Sequence, residues 1–373
     1  MNNTPFVSII ILNYNGKQYL RTTIDSVLAQ TYRNFEIIFI DNASIDGSVA
    51  FLQTTYKTQI DANRLRILHN KTNTGFARGN NIGYAAASKR SKYVVLLNND
   101  VRAYRTWLAK LVDTAQTYPD IGLVGTNYYD KGRYNNWKRF INKGGELSTI
   151  TIAGEDALIA RRTLHTPHLV ELLFASGNGL LVRRSLFRQL FDDEYFAYAE
   201  DVYLGWSARL RDIPVVVDMR ARMAHEGGGT KKANNKTIRT ELTFHGAKNQ
   251  LMNTLLFYQA SNVLKVLPWQ LLAHAGRIID NPRKLRPQLR ALWWVICHVG
   301  DIRRKRKAIQ RTRTVKDRHI LPLISGKMLG EQIATEHYNG LYQTTIHVLN
   351  WCCLAWCRMT RLPVAELSVK KKK

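Results

Sequence analysis

The first half of the chain alternates short apolar runs with segments of helical periodicity. The runs are rich in Val, Ile and Leu and are bounded by polar turn residues, which is typical of buried strands. They span residues 7–13, 35–41, 65–70 and 93–98. From Leu20, apolar residues recur at i, i+4, i+7 and i+8, as on one face of a helix, and 76–87 and 106–118 show the same pattern. This alternation predicts a mostly parallel α/β sheet with helices on both faces.

Polar residues follow each of the four runs, where a strand would end. In α/β sheets ligands bind beyond the carboxyl ends of the strands. Glycine lets backbone approach a ligand closely, and Asn and Asp offer hydrogen bonds to a base or ribose. The segments are Asn13-Tyr14-Asn15-Gly16, Asp41–Gly47, Asn73–Asn81 and Asn98-Asn99-Asp100. They predict a nucleotide site, and the absence of GxGxxG after the first strand and of GxxxxGK[ST] excludes dinucleotide and P-loop sites.

An acidic, aromatic segment lies further along the chain. Residues 191–201 hold five carboxylates and lead into a helical pattern at 202–210. Glu200 and Asp201 would therefore lie near a helix N-terminus, where the macrodipole favours the ionised form, although acidic residues also cap helices for purely structural reasons. A predicted strand at 213–217 is followed by His225 and three glycines at 227–229, which can bring N–H groups against phosphates.

Charge divides the chain into two predicted domains. Residues 1–230 hold 28 Lys and Arg against 21 Asp and Glu, whereas residues 231–373 hold 27 against 7. The formal net charge of +27 is therefore concentrated in the second part, which we expect to be a basic helical extension that meets an anionic partner.

The extension has the pattern of an interfacial helix. An apolar stripe at helical spacing is formed by Leu285, Leu289, Leu292, Trp293 and Ile296. Basic runs occur at 303–307 and 370–373, and five of the eight tryptophans lie in this part. Tryptophan and leucine on one face with Lys and Arg on the other favour an anionic membrane surface. Two alternatives stay open: helices that pack on the first domain, and nucleic-acid binding, which is disfavoured because no known nucleic-acid motif appears.

Compartment signals are few. No signal-peptide pattern and no uninterrupted apolar stretch of membrane-spanning length appears, and the best candidate, 341–357, is broken by polar residues. The four cysteines form no CxxC pair and are typical of buried, reduced thiols. We expect a cytoplasmic protein, peripheral at the inner face of the cell membrane.

Taken together, these segments resemble the family 2 glycosyltransferases, in particular rhamnosyltransferase-like members that build cell-surface polysaccharides. The resemblance covers residues 5–230 and is carried by 7–46, 73–81, 98–100, 176–178, 191–201 and His225. It implies a GT-A fold, a nucleoside-diphosphate sugar donor, Mg²⁺ or Mn²⁺, and inversion at the anomeric carbon. The implied acceptor is polyprenol-linked or a polysaccharide.

The resemblance also implies residue roles. Asp201, preceded by Glu200, takes the position of the catalytic base, and Asp100 and His225 take those of metal ligands. Donor-binding positions are Asn13, Tyr14, Asp41, Ser44, Asp46, Gly75, Arg78, Asn80, Asn98 and Asn99.

The chain departs from the family pattern at three places. Asn98-Asn99-Asp100 stands for Asp-x-Asp, Tyr203 for a second acid, and Asp212 for a glycine. With fewer carboxylates, metal binding rests on less charge. Two other functions remain as alternatives: a sugar nucleotidyltransferase, and a nucleic-acid-binding protein acting through the extension.

Overall fold

The structure is a computed structural model that describes residues 4–130, 147–151, 155–156, 166–225, 236–330 and 340–368. The strands are β1 Phe6–Asn13, β2 Phe35–Asp41, β3 Leu65–His69, β4 Ser91–Asn98, β5 Val101–Ala103, β6 Leu123–Asp130, β7 Leu147–Thr149, β8 Glu155–Asp156, β9 Leu169–Glu171, β10 Leu180–Arg183, β11 Val215–His225 and β12 Ile324–Ser325. The helices are α1 Lys17–Leu28, α2 Ser48–Thr55, α3 Lys57–Asp61, α4 Gly75–Ala86, α5 Trp107–Thr117, α6 Glu200–Arg209, α7 Lys236–Phe257, α8 Ala260–Asp280, α9 Leu285–Cys297, α10 Val299–Arg311, α11 Asp317–Ile320, α12 Gly340–Met359 and α13 Ala365–Ser368. The three glycines at 227–229, which we expect to contact phosphates, and the terminal lysines at 370–373 lie outside the described residues.

The main sheet is mixed. Its order is β3-β2-β1-β4-β10-β6-β11-β5, with β9 beside β11. The first four strands are parallel, as predicted, and β2, β3 and β4 each follow a helix. Strand β10 then pairs antiparallel with β4 and β6, and β5 and β9 pair antiparallel with β11. Strands β6 and β11 are again parallel, so the sheet is mixed in its second half, where antiparallel neighbours need no helical crossover.

Alternate side chains of the central strands pack into two hydrophobic cores, one on each face of the sheet. Ile9, Ile11 and Val95 pack with α1 and α5, and Ile10 and Val94 pack with α4 and α6. These side chains are fully buried, as a sheet covered on both faces requires. The predicted α/β class with helices on both faces is confirmed.

The extension packs on one face of this sheet. Met252, Leu256 and Phe257 of α7, Val266 of α8 and Cys357 of α12 are buried in the same core as Ile10. The predicted helical character of the extension is confirmed, and its described part packs against the main sheet. The boundary near residue 230 stays a prediction, since residues 226–235 are not described.

The predicted apolar stripe lies on α9 and faces outward. Leu289, Trp293 and Ile296 are 51%, 67% and 62% exposed. The opposite face of α9 packs inward through Gln288, which hydrogen-bonds His274, and through Ala291. Because α9 buries its small and polar residues, its large apolar residues are left at the surface. Cys297 beside them is also exposed, contrary to the prediction of buried thiols.

Candidate functional site

The carboxyl ends of β1 and β2 lie side by side. Asn13 and Asp41 are register partners in the parallel pair, and both are buried. The Asn13 amide donates to Ser44 Oγ at 3.0 Å, and the Ser44 N–H donates to Asp41 Oδ2 at 3.0 Å. Tyr14, next to this cluster, is exposed and can offer a ring face to a ligand. The structure thus brings together four of the residues predicted to bind the donor.

Asp46 serves a structural purpose at the same edge. Its carboxylate accepts the backbone N–H of Lys17 at 2.8 Å and that of Ser48 at 3.0 Å, so it joins the first turns of α1 and α2. Burial acts to raise the pKa of Asp46, but the hydrogen bonds from Ser48 and Lys17 outweigh it and the net pKa is lowered. Asp46 therefore stays ionised and fixes the loop that holds Asp41 and Ser44.

The start of α4 joins this edge to the acidic segment. Gly75 has a left-handed φ of 77°, and a side chain there would clash with Phe196. The Phe76 N–H donates to Phe196 O at 2.6 Å. Arg78 is exposed in this helix. Asn80 is fully buried and donates to Phe76 O at 2.9 Å, so the structure does not bring it to the surface where a donor would bind.

Residues 98–100 lie between Asn13, at the end of β1, and Asn178, in the polar run 176–178. Asn99 Nδ2 donates to Asn13 Oδ1 at 2.5 Å. The Asn98 N–H donates to Asn178 Oδ1 at 3.2 Å. Asn98 and Asn99 therefore act as spacers that set the position of Asp100, which follows them.

Antiparallel pairing brings the two predicted metal ligands together. Asp100 immediately precedes β5, where Val101 is the register partner of His225 in β11. His225 Nε2 lies 3.2 Å from Asp100 Oδ1. That oxygen is buried and accepts no hydrogen bond of good geometry from any residue that the structure describes.

These two side chains fit a divalent cation. A carboxylate oxygen that lacks a hydrogen bond, next to an imidazole nitrogen, is a donor set that Mn²⁺ and Mg²⁺ accept. No group of three or more His, Cys, Asp and Glu side chains converges within the described ranges. An ion here would complete its shell with phosphate oxygens and water, which is how Mg²⁺ is usually bound in enzymes that act on nucleotides.

Glu200 and Asp201 form the first turn of α6. Burial raises the pKa of Asp201, and hydrogen bonds from the Val202 and Gly177 N–H groups offset part of that rise. Burial, and then the charge of Asp201, raise the pKa of Glu200 more strongly. Glu200 Oε2 has no hydrogen-bond partner among the described residues. Glu200 therefore holds its proton more tightly, and Asp201 is the member of the pair that carries negative charge near neutral pH.

Sequence reasoning missed several polar residues that build this region. Asn42 is buried and donates to Gly75 O at 3.0 Å, so it ties the end of β2 to α4. Asn249 and Asn253 of α7 donate to backbone carbonyls just before Asp201. Asn42 could have been found from its place after Asp41, whereas the two amides of α7 lie in a helix with no readable motif.

The main sheet and its covering helices have the GT-A type fold, as the solved structures below show. Residues 8–191 match the family model described as Glycosyl transferase family 2. This matched stretch is therefore a family 2 glycosyltransferase domain, and the resemblance seen in the sequence is confirmed for it.

Two proteins of similar sequence support the same assignment. The chain is 29% identical over 223 residues to an uncharacterized glycosyltransferase of Haemophilus influenzae, which covers 56% of this chain and 61% of that protein. It is 26% identical over 238 residues to the O-antigen biosynthesis protein RfbC of Myxococcus xanthus, which covers 62% of this chain and 18% of that protein. The chain spans less than two thirds of the length of either relative.

Two solved structures share the fold. A crystal structure of GalNAc-T7 with UDP, GalNAc and Mn²⁺ superposes with a TM-score of 0.56 at 15% identity, over 72% of this chain and 50% of that one. A crystal structure of S. aureus TarS 1-349 in complex with UDP-GlcNAc gives a TM-score of 0.53 at 12% identity, over 95% and 90%. At these identities the likeness establishes the fold.

Proposed function

We propose that this chain is an inverting glycosyltransferase. It moves a sugar, rhamnose or another hexose, from a nucleoside-diphosphate donor to a polyprenol-linked or polysaccharide acceptor. The observation that carries the proposal is a continuous set of contacts across the sheet edge. The run 98–100 contacts Asn13 on one side and the run 176–178 on the other, and Gly177 of that second run hydrogen-bonds Asp201. The loops proposed to bind the nucleotide and the proposed base, Asp201, would thus belong to one site.

Asp201 is the proposed general base. It takes the proton from the acceptor hydroxyl while that oxygen attacks the anomeric carbon and the bond from the sugar to the diphosphate breaks on the opposite face. This geometry inverts the anomeric configuration. The raised pKa of Asp201 supports the role, because a base with a pKa nearer the working pH takes a proton more readily than an ordinary carboxylate.

Asp100 and His225 are the proposed holders of Mg²⁺ or Mn²⁺. When bound, such an ion neutralises charge on the departing diphosphate. The 3.2 Å contact between these side chains supports the assignment, as does the Mn²⁺ in the related GalNAc-T7 structure. Asn13, Tyr14, Asp41 and Ser44 would bind the nucleoside end of the donor, through amide and carboxylate hydrogen bonds and an exposed ring.

The experiment that tests this function is an assay of the phosphate product. A glycosyltransferase releases nucleoside diphosphate from a nucleotide sugar. A sugar nucleotidyltransferase, the alternative on a similar sheet, consumes a nucleoside triphosphate and a sugar phosphate and releases pyrophosphate. Nucleoside diphosphate release from a panel of UDP-, dTDP- and GDP-sugars with polyprenol-linked acceptors would support the first class, and pyrophosphate release from nucleoside triphosphate and sugar phosphate would identify the second.

We further propose that the extension holds the enzyme at an anionic membrane surface. Within the described residues no helix combines the length and apolar character needed to cross a bilayer. The outward stripe of α9 instead offers Trp293 and Ile296 for insertion at the lipid boundary. Exposed basic residues of α9 and α10 would face the headgroups, among them Arg286, Arg303 and Lys307.

Part of the basic charge is already used inside the fold. Lys305 pairs with Asp192 at 2.6 Å, and Arg313 pairs with Asp317 at 2.8 Å. Arg306 donates to the carbonyl of Leu255 at the end of α7. These three basic side chains therefore pack within the protein, and we expect only the exposed basic side chains of α9 and α10 to contact lipid.

Replacing the apolar stripe should release the protein from vesicles. Burial of each large apolar side chain contributes about 1.5–3 kcal/mol, so Trp293→Ser with Ile296→Ser should weaken binding to phosphatidylserine-containing liposomes at least tenfold. Co-sedimentation at physiological salt measures this. Tyr104→Ser, an exposed aromatic on the sheet domain, is the matched control and should sediment like wild type. Wild-type protein that stays in the supernatant yet retains RNA would favour nucleic-acid binding instead.

A further inference from the structure

Two consecutive residues directly before α6 have left-handed backbone conformations. Tyr198 has φ of 69° and Ala199 has φ of 62°. Neither is glycine or asparagine, and residues with a Cβ adopt this region at a cost of about 1–2 kcal/mol each. Such a conformation persists only where neighbouring groups hold it. Here it lies one residue before Glu200 and two before Asp201.

The groups that hold this loop come from α7, outside the sheet domain. Asn249 Nδ2 donates to Ala197 O at 3.0 Å and to Tyr198 O at 2.8 Å. Asn253 Nδ2 donates to Ala199 O at 3.0 Å. Three successive carbonyls, all ahead of the first turn of α6, are thus satisfied by two side-chain amides one helical turn apart.

Further contacts make the arrangement rigid. Asn253 Oδ1 accepts a hydrogen bond from the Tyr195 hydroxyl at 2.7 Å, and Lys248 Nζ donates to Glu194 O at 2.6 Å. Asn249, Asn253 and Tyr195 are fully buried. Buried amides with two partners each are held in one rotamer, so the loop has little freedom to relax.

We propose that Asn249 and Asn253 are positioning residues for the Asp201 carboxylate. The inference rests on the proposed role of Asp201 as base and adds that the extension completes the active site. The two amides fix the left-handed turn from which α6 begins, and the direction of that first turn determines where Asp201 meets the acceptor hydroxyl. A misplacement of about 1 Å in such a group can cost 10²-fold in rate.

Substitution of either amide should lower kcat with little change in donor KM. We expect Asn249→Ala and Asn253→Ala to reduce kcat about 10- to 100-fold, measured as nucleoside diphosphate release from the most active sugar nucleotide of the panel. Thr254→Val is the matched control. It removes a buried hydrogen bond of the same helix, from Thr254 Oγ1 to Gln270 at 3.1 Å, without touching the loop, and should keep wild-type kcat.

A purely structural role would give different results. If the amides act through Asp201, then Asn249→Ala should lower the rate little further in an Asp201→Asn background. Equal loss of kcat in Thr254→Val, a rise of donor KM in place of a fall in kcat, or a full additional loss in the double variant would overturn the proposal. If Asn249→Ala does not fold, Asn253→Ala carries the same test. Wild-type turnover in Asp201→Asn would refute the proposed base itself, a result separate from failure of the positioning role.

Discussion

Asp201→Asn should bind the sugar nucleotide with wild-type affinity and lose turnover. Removal of a general base typically costs about 10²- to 10⁴-fold in kcat, and we expect a loss in that range. Asparagine keeps the side-chain oxygen that accepts the Val202 N–H at 2.8 Å, so the first turn of α6 should persist. Steady-state rates of nucleoside diphosphate release and calorimetric donor affinity measure the two effects separately.

The control for this variant is Asp212→Asn, just beyond the other end of α6. Asp212 has φ of 61°, a conformation that asparagine tolerates well, and the substitution removes one carboxylate without reaching the site. It should retain wild-type kcat. Near-normal turnover in Asp201→Asn would rule out the assigned base.

The pH dependence of the wild-type rate tests the Asp201 carboxylate independently. Burial raises the pKa of Asp201, and only the ionised form can accept a proton. The rate should therefore fall with decreasing pH already above the ordinary carboxyl range, which lies near about pH 4. In Asp201→Asn this acidic limb should disappear from the residual activity.

Asp100→Ala should remove the metal-dependent part of donor binding. A divalent ion on the diphosphate contributes several kcal/mol, so we expect affinity measured in Mn²⁺ to fall about 100-fold or more, to the value seen in EDTA. Calorimetry with UDP, dTDP and GDP in each buffer measures this. Asp100→Asn, which keeps the shape of the side chain, distinguishes lost charge from lost packing.

Two comparisons make the metal prediction specific. Asp113→Ala removes a half-exposed carboxylate that pairs with Arg220 at 3.0 Å and should leave Mn²⁺-dependent affinity unchanged. His225→Ala should weaken it less than Asp100→Ala, because a neutral imidazole brings no charge to the ion. Unchanged binding by Asp100→Ala in Mn²⁺ would contradict the metal role.

The sequence predicts the parts of the site that depend on local pattern. Apolar runs locate β1, β2, β3 and β4, and because these strands are parallel their polar ends necessarily meet at one edge. The neighbouring positions of Asn13 and Asp41 follow from that rule alone. Asp201 at a helix N-terminus likewise follows from a helical pattern that begins just after it.

The remainder depends on contacts between distant segments. His225 meets Asp100 through an antiparallel pair that joins residues more than a hundred positions apart, and no local signal sets that register. Asn80 shares a polar loop with Arg78, yet the helical turn directs it inward to Phe76 O. The apolar stripe of α9 fixes which residues share a face, whereas only packing against α7 decides that this face is the outer one.

The identity of the products made from a nucleotide sugar tests the central claim most directly. Incubation of the full chain with the sugar-nucleotide panel, Mn²⁺ and a polyprenol-linked acceptor, followed by mass spectrometry and NMR, reports both products of the reaction. The account predicts one nucleoside diphosphate released for each sugar transferred, with the anomeric configuration inverted. Absence of released nucleoside diphosphate with every sugar nucleotide of the panel, or a glycoside of retained configuration, would contradict it.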